Sequence, residues 1–178
     1  FNKSPKKLKI GFVSGDFKKH PVGFFLKDAL IHLKNKNLEL YAYSNSSEKD
    51  SLTTKLKSNF TVWHQITEQS DVQVINQIRN DGIHILVDMS GHSSKNRLPI
   101  FINKPAPIQV TWAGFLGSTG LTEIDYIIGD PQVTPENDQN LYSEQIFNLP
   151  YIWCCFSIPE FDIKVKETPA IKNDFITF

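Results

Sequence analysis

LKIGFVSGDFKKHPVGFFL, residues 8–26, decides the fold. Leu8 to Ser14 is a short apolar run, the pattern of a strand buried on both faces. The run stops at Gly15 and Asp16. Beyond His20 and Pro21, apolar residues recur at helical spacing: Phe25, Leu26, Ala29, Leu30 and Leu33. Val22 to Leu33 therefore reads as a helix. Strand, polar turn and helix open a βαβ unit.

The rest of the chain repeats this alternation. Strands are expected at Leu38 to Tyr43, Phe60 to Trp63, Ile83 to Asp88, Ile108 to Trp112 and Asp125 to Ile128. Helices are expected at Leu52 to Leu56, from Asp71 as cap through Arg79, and at Lys95 to Ile102. In the second of these, Val72, Ile75 and Ile78 form the expected apolar face. The result is an α/β fold with a doubly wound, mostly parallel sheet and right-handed crossovers. After Pro150 the pattern weakens. Residues 158–173 are rich in Pro, Lys and Glu and read as a linker, and Phe175 to Phe178 reads as the start of another strand.

The 178 residues, 40% hydrophobic, suffice for one core. Nineteen basic and nineteen acidic residues balance to zero, so composition gives no sign of a nucleic-acid partner. Lys3, Lys6, Lys7 and Lys9 read as a solvated tail. No apolar run approaches the roughly 20 residues that span a bilayer, so no membrane partner is expected. Cys154 and Cys155 are adjacent and lack metal spacing, which favours a reducing, cytoplasmic setting. No metal-binding motif is present, so no metal is expected.

In open α/β sheets, ligands sit at the carboxyl ends of strands. Two strand ends here carry an Asp and a His four residues apart: Asp16 with His20, and Asp88 with His92. His20 should lie at a helix N-terminus, beside free N–H groups and a dipole that favours the neutral ring. Pro21 suits the first helical position. Gly91 permits close backbone approach, and His92 and Ser93 could face a polar ligand. Asp88 could orient either histidine. Spacing alone leaves a second reading open, in which both loops merely cap and close turns. A third Gly-rich loop, Gly114 to Gly120, also follows a strand and is neither a Walker A nor a GxGxxG motif. His32 reads as solvated or partly buried, His84 as a core histidine, and His64 has no partner by spacing.

Four blocks in order carry a family resemblance: LKIGFVSGDFKKHPVGFFL, DGIHILVDMSGHSSKNRLPIF, KPAPIQVTWAGFLGSTGLTEIDYIIGDPQVTP and YSEQIFNLP. Together they resemble the catalytic region of the O-linked N-acetylglucosamine transferases and their SPINDLY-like relatives, over about Leu8 to Pro150. The resemblance implies the Rossmann-like N-terminal lobe of an inverting GT-B glycosyltransferase. It implies three segments: an N-terminal tail at 1–7, the lobe at 8–157, and at 158–178 a linker and the first strand of a second lobe. In the full-length protein, the sugar of a nucleotide-sugar donor (UDP-GlcNAc or GDP-fucose) would pass to a Ser or Thr of a protein or peptide acceptor. The second lobe would hold most of the donor, and the fragment alone would be inactive. Upstream tetratricopeptide repeats and a bacterial source are also implied. By the same resemblance, His20, Asp88 and His92 are candidate catalytic residues. Asp16, Pro21, Gly91, Ser93, Gly117, Ser118 and Thr119 are candidate substrate-binding residues. Leu116 stands where the family has Pro, and His92 where some members have Tyr. The alternative is a non-catalytic peptide-binding or lobe-docking module.

Overall fold

The computed structural model describes residues 5–34, 36–157 and 164–176. The elements run β1 (Leu8–Ser14), α1 (Pro21–Lys34), β2 (Leu38–Ser44), α2 (Ser51–Lys57), β3 (Val62–Gln65), α3 (Asp71–Asp81), β4 (Ile85–Asp88), α4 (Leu98–Ile102), β5 (Ile108–Thr111) and β6 (Tyr126–Gly129). A 3-10 turn (Glu136–Leu141), β7 (Gln145–Asn148) and α5 (Pro169–Asn173) follow. The seven strands form one sheet in the order β3-β2-β1-β4-β5-β6-β7, and every pairing is parallel. The chain works outward from β1 to β3, returns to β4, and works outward the other way. The fold is thus Rossmann-like and doubly wound, with its switch point between β1 and β4.

Alternation along the strands divides the core. On one face, Phe12 and Val87 pack with Val22, Leu26 and Leu30 of α1 and Leu52 and Leu56 of α2. On the other, Val13 and Leu86 pack with Val74, Ile75 and Ile78 of α3 and Ile100 and Phe101 of α4. Leu26 and Leu30 are fully buried, each contributing about 1.5–3 kcal/mol by removal from water.

Several boundaries differ from the sequence reading, each for a local reason. The cap of α3 is Ser70, whose hydroxyl accepts from Gln73 N–H while the Gln73 side chain returns to Ser70 N–H. Asp71 is instead the first helical residue, paired with Arg97 at 2.6 Å. Val72 is 66% exposed, and Val74 takes its expected place on the buried stripe. The residues before Leu98 form a loop, because the Arg97 guanidinium is drawn to Asp71 and to the carbonyls of Ile66 and Gln69. Strand β7 was not expected from the sequence: it lies at the edge of the sheet, alternates between exposed and half-buried residues, and lacks the apolar run of the inner strands. A single helical turn, α5, lies in the expected linker. Phe175 and Ile176 are exposed and outside any strand, and the rest of that expected strand lies outside the described residues. His64 does have a partner: Asp81, 3.0 Å from its Nε2, which also accepts from the Tyr43 hydroxyl. His84 is half-buried, and its Nδ1 accepts from Lys9 N–H.

Candidate functional site at the switch point

The register aligns the carboxyl ends of β1, β4 and β5. Val13 lies beside Asp88, and Asp88 beside Thr111. Three loops therefore leave the sheet side by side: residues 15–20, 89–97 and 112–124. Nothing in local sequence requires this neighbourhood; it follows from the crossover that returns the chain to the middle of the sheet.

The first loop ends in α1. Pro21 is its first residue, and His20 stands immediately before it. His20 Nδ1 accepts from Val22 N–H at 3.3 Å, so the ring serves as the helix cap. The Asp16 carboxylate lies 3.8 Å from the same nitrogen. The imidazole remains 42% exposed, and its other nitrogen is not used in the cap. A neutral ring that accepts at Nδ1 carries its proton on Nε2, which makes that outer nitrogen a donor.

The second loop is tied from within. Asp88, 1% exposed, accepts from Gly91 N–H at 2.8 Å, Ser90 N–H at 3.2 Å and the Thr111 hydroxyl at 2.9 Å. Burial pushes its carboxyl above the ordinary range, against the pull of these hydrogen bonds and of His92. Its hydrogen bonds go to the turn and to β5, and neither histidine receives one. Gly91 has φ +52°, and a Cβ there would stand 2.5 Å from Phe115 Cβ. That contact brings the third loop against the second. His92 is exposed and meets the Phe115 ring edge-on, 5.6 Å between centroids. The Ser90 and Ser93 hydroxyls are buried with no hydrogen-bond partner among the described residues.

The third loop is anchored by a residue that the site reading did not single out. Glu144, 1% exposed, accepts from Thr119 N–H at 2.8 Å, from the Thr119 hydroxyl and from the Ser118 hydroxyl at 2.8 Å. Burial opposes ionisation of Glu144, but these hydrogen bonds outweigh it and hold the carboxyl below its usual range. Ser118 and Thr119 thus spend their hydroxyls within the protein, and Gly117 packs beside Phe115. The signal in sequence was a lone acid just before an apolar strand, in YSEQIFNLP.

A cleft of about 270 Å³ opens between the first two loops, lined by Asp16, Lys18, His20, Ser93, Ser94 and Lys95. It brings together three of the sequence candidates: Asp16, His20 and Ser93. Asp88, Gly91 and His92 lie behind or beside it, and Gly117 to Thr119 belong to the third loop. Lys18, Ser94 and Lys95 were not singled out. Glu48, from the loop after β2, bridges both lysines, at 2.6 Å to Lys18 and 3.1 Å to Lys95. Their hydrogen bonds hold its carboxyl below the ordinary range. The cleft offers hydrogen-bond donors and two part-neutralised cations, a lining suited to a hydroxyl-rich or anionic ligand.

No helix among the described residues is long and apolar enough to cross a membrane. In sequence the chain is 35% identical over 175 residues to a protein of Oryza sativa described as probable UDP-N-acetylglucosamine–peptide N-acetylglucosaminyltransferase SPINDLY. That match takes in 96% of this chain and 19% of the rice protein. A Caenorhabditis elegans UDP-N-acetylglucosamine–peptide N-acetylglucosaminyltransferase is 30% identical over 148 residues, which cover 82% of this chain and 13% of that protein. The chain therefore spans about a fifth or less of the length of these curated relatives. Among solved structures, a Thermobaculum terrenum O-GlcNAc transferase mutant superposes with a TM-score of 0.81 at 36% identity, covering 84% of this chain and 29% of that one. Residues 1–162 match the Glycosyl transferase family 41. With the fold, the ordered motifs and these likenesses in agreement, the chain belongs to glycosyl transferase family 41.

Proposed function

We propose that residues 8–157 form the N-terminal lobe of a protein O-glycosyltransferase, with residues 158–178 leading toward a second, nucleotide-binding lobe. In the longer protein, a Ser or Thr hydroxyl of a peptide attacks the anomeric carbon of a nucleotide sugar. A new C–O bond forms with inversion, the bond to the diphosphate breaks, the nucleoside diphosphate leaves with the bonding electron pair, and the hydroxyl proton passes to solvent water. The donor is UDP-GlcNAc or GDP-fucose, and the likeness to relatives described as UDP-N-acetylglucosamine–peptide N-acetylglucosaminyltransferases favours the first. Upstream tetratricopeptide repeats, a bacterial source and a cytoplasmic setting belong to the same proposal.

The observation that carries this reading is the cleft at the switch point, where His20 and Asp16 from one strand end meet Ser93 from the next. The His20 cap gives its role a direction. With Nδ1 accepting from Val22 N–H, the outer Nε2–H donates to an oxygen of the substrates. His20 then orients and stabilises a reacting oxygen, and the proton of the acceptor departs elsewhere. Asp88 positions the second loop through Gly91, Ser90 and Thr111. Glu144 does the same for Ser118 and Thr119.

The test is a donor screen on the full-length gene product with a Ser/Thr-rich peptide mixture, read by intact mass. An added N-acetylhexosamine or deoxyhexose is expected from one of the two donors. Absence of transfer from both would overturn the reading.

A further inference from the structure

Lys95 stands in the left-handed backbone region, φ +60°, where glycine would sit without strain. Its neighbours hold it there. Gly15 leaves it room: a Cβ on Gly15 would stand 2.8 Å from Lys95 Cβ. Asn45 Nδ2 donates to the Lys95 carbonyl at 2.9 Å. The Lys95 ammonium donates to Glu48, as does that of Lys18 in the first loop. Lys18 is fixed as well, because its carbonyl accepts from His20 N–H at 2.7 Å. Three loops thus place two ammonium groups around one carboxylate at the edge of the cleft. A strained non-glycine residue persists where its surroundings over-determine it, and such strain gathers at ligand sites. What the strain retains here is the Lys95 side chain.

We infer that Lys18 and Lys95 set acceptor specificity by binding a carboxylate side chain of the peptide, close in sequence to its Ser or Thr. The inference rests on the reading above, in which His20 faces the reacting oxygen. One carboxylate between two ammonium groups leaves one unit of positive charge, the complement of a single Asp or Glu side chain. A diphosphate carries more negative charge and would lie against both Glu48 and Asp16. Each ammonium has three N–H donors, so it can hold Glu48 and a second carboxylate together. Glu48 also lines a neighbouring hollow of about 190 Å³, with Ser46, Thr53, Thr54 and Gln65. An extended peptide leaving the cleft past Glu48 would meet hydroxyl and amide groups there, as its backbone requires. His20 and both lysines share one cleft of about 270 Å³. Peptide residues are about 3.4 Å apart when extended, so the acid lies within roughly two positions of the acceptor.

The test uses the full-length gene product and fluorescein-labelled peptides. Each has one Ser or Thr in an alanine background, with Glu, Gln or Lys at one of the two positions on either side. Binding is read by anisotropy, and kcat/KM with UDP-GlcNAc and with GDP-fucose. One Glu peptide should bind and react roughly three- to tenfold better than its Gln twin, the worth of one or two part-exposed ion pairs. Added salt should shrink the difference. Lys18→Gln and Lys95→Gly together should abolish it, Lys18→Glu with Lys95→Glu should shift the preference to the Lys peptide, and Glu48→Gln should enlarge it. Glycine takes a positive φ freely, so Lys95→Gly removes the charge without straining the loop. Equal handling of Glu and Gln peptides by the wild type would overturn the inference, and so would a preference that survives both lysine changes. A raised KM for the nucleotide sugar with the peptide ratio intact would put the lysines on the diphosphate and overturn it too. If no peptide is modified, the proposed transfer fails, and anisotropy still decides this inference: equal binding of the Glu and Gln peptides overturns it.

Discussion

Asp88→Asn changes one atom in the most buried carboxyl of the site loops, and its effect should depend on pH in a specified direction. In the wild-type chain, burial raises the Asp88 pKa in the folded state. The unfolded chain ionises this group near its ordinary value of about 3.9. Below that pH both states are protonated and nothing is lost. As pH rises, the unfolded state ionises first, and stability falls until the raised folded pKa is passed. Every pH unit over which the buried carboxyl resists ionisation removes about 1.4 kcal/mol. The asparagine has no such loss. It has a fixed cost instead: with its oxygen toward Gly91 N–H and the Thr111 hydroxyl, its NH2 faces Ser90 N–H, and one acceptor contact disappears. One neutral hydrogen bond is worth about 1 kcal/mol net. Asp88→Asn should therefore be less stable by about 1 kcal/mol at acid pH, and the deficit should shrink as pH rises. Urea unfolding of both proteins from about pH 4 to about pH 9 measures it, since every other titrating group cancels in the difference. Parallel stability profiles would mean that Asp88 ionises like a solvated carboxyl, and the burial argument would be wrong.

Gly91→Ala should lower stability by about 1–3 kcal/mol, because it meets both a positive φ and the Phe115 side chain; Gly82→Ala, with a positive φ but open space, should lose only about 1 kcal/mol in the same denaturation series. Glu144→Gln should speed amide exchange in residues 117–120. Because the folded carboxyl is held below its usual range, its stabilisation is present above the ordinary glutamate pKa and disappears as pH falls through the folded value. The variant should lack that acid-side loss, and an unchanged acid limb would refute the anchoring role. His20→Ala in the full-length protein should lower kcat at least tenfold, while the lost cap lowers stability by about 1 kcal/mol; wild-type turnover would leave His20 as a cap alone.

What sequence could and could not reveal divides along the range of the interactions. β1, α1 and the polar turn between them were legible because strand period, helix period and His-Pro punctuation all act within a few residues. The Ser70 cap was displaced by one position because Ser70 and Asp71 are both good caps, and only the Gln73 reciprocity separates them. His64 and Asp81 lie seventeen positions apart and meet only once β2, β3 and α3 are assembled. The candidate cleft shows the same limit. Asp16, His20 and Ser93 were visible as strand-end residues. Lys18 and Lys95 were not, because their common partner Glu48 comes from a third loop that the sheet alone brings near. Glu144 lies 25 residues from Thr119, and pairing of β6 with β7 brings it within reach.

The place of β1 has a consequence for how the cleft comes into being. This strand is hydrogen-bonded on both sides, to β2 and to β4. Its second partner begins at Ile85, some 75 positions after Ile10, with which it pairs. Loop closure over such a distance must precede the contacts that reward it, which slows folding. A chain emerging from the ribosome can pair β1 with β2 early, yet the wall that carries Ser93 does not exist until β4 has inserted beside β1. The cleft is therefore assembled late and all at once, and ligand affinity at His20 would report completion of the sheet's middle rather than the folding of its first half.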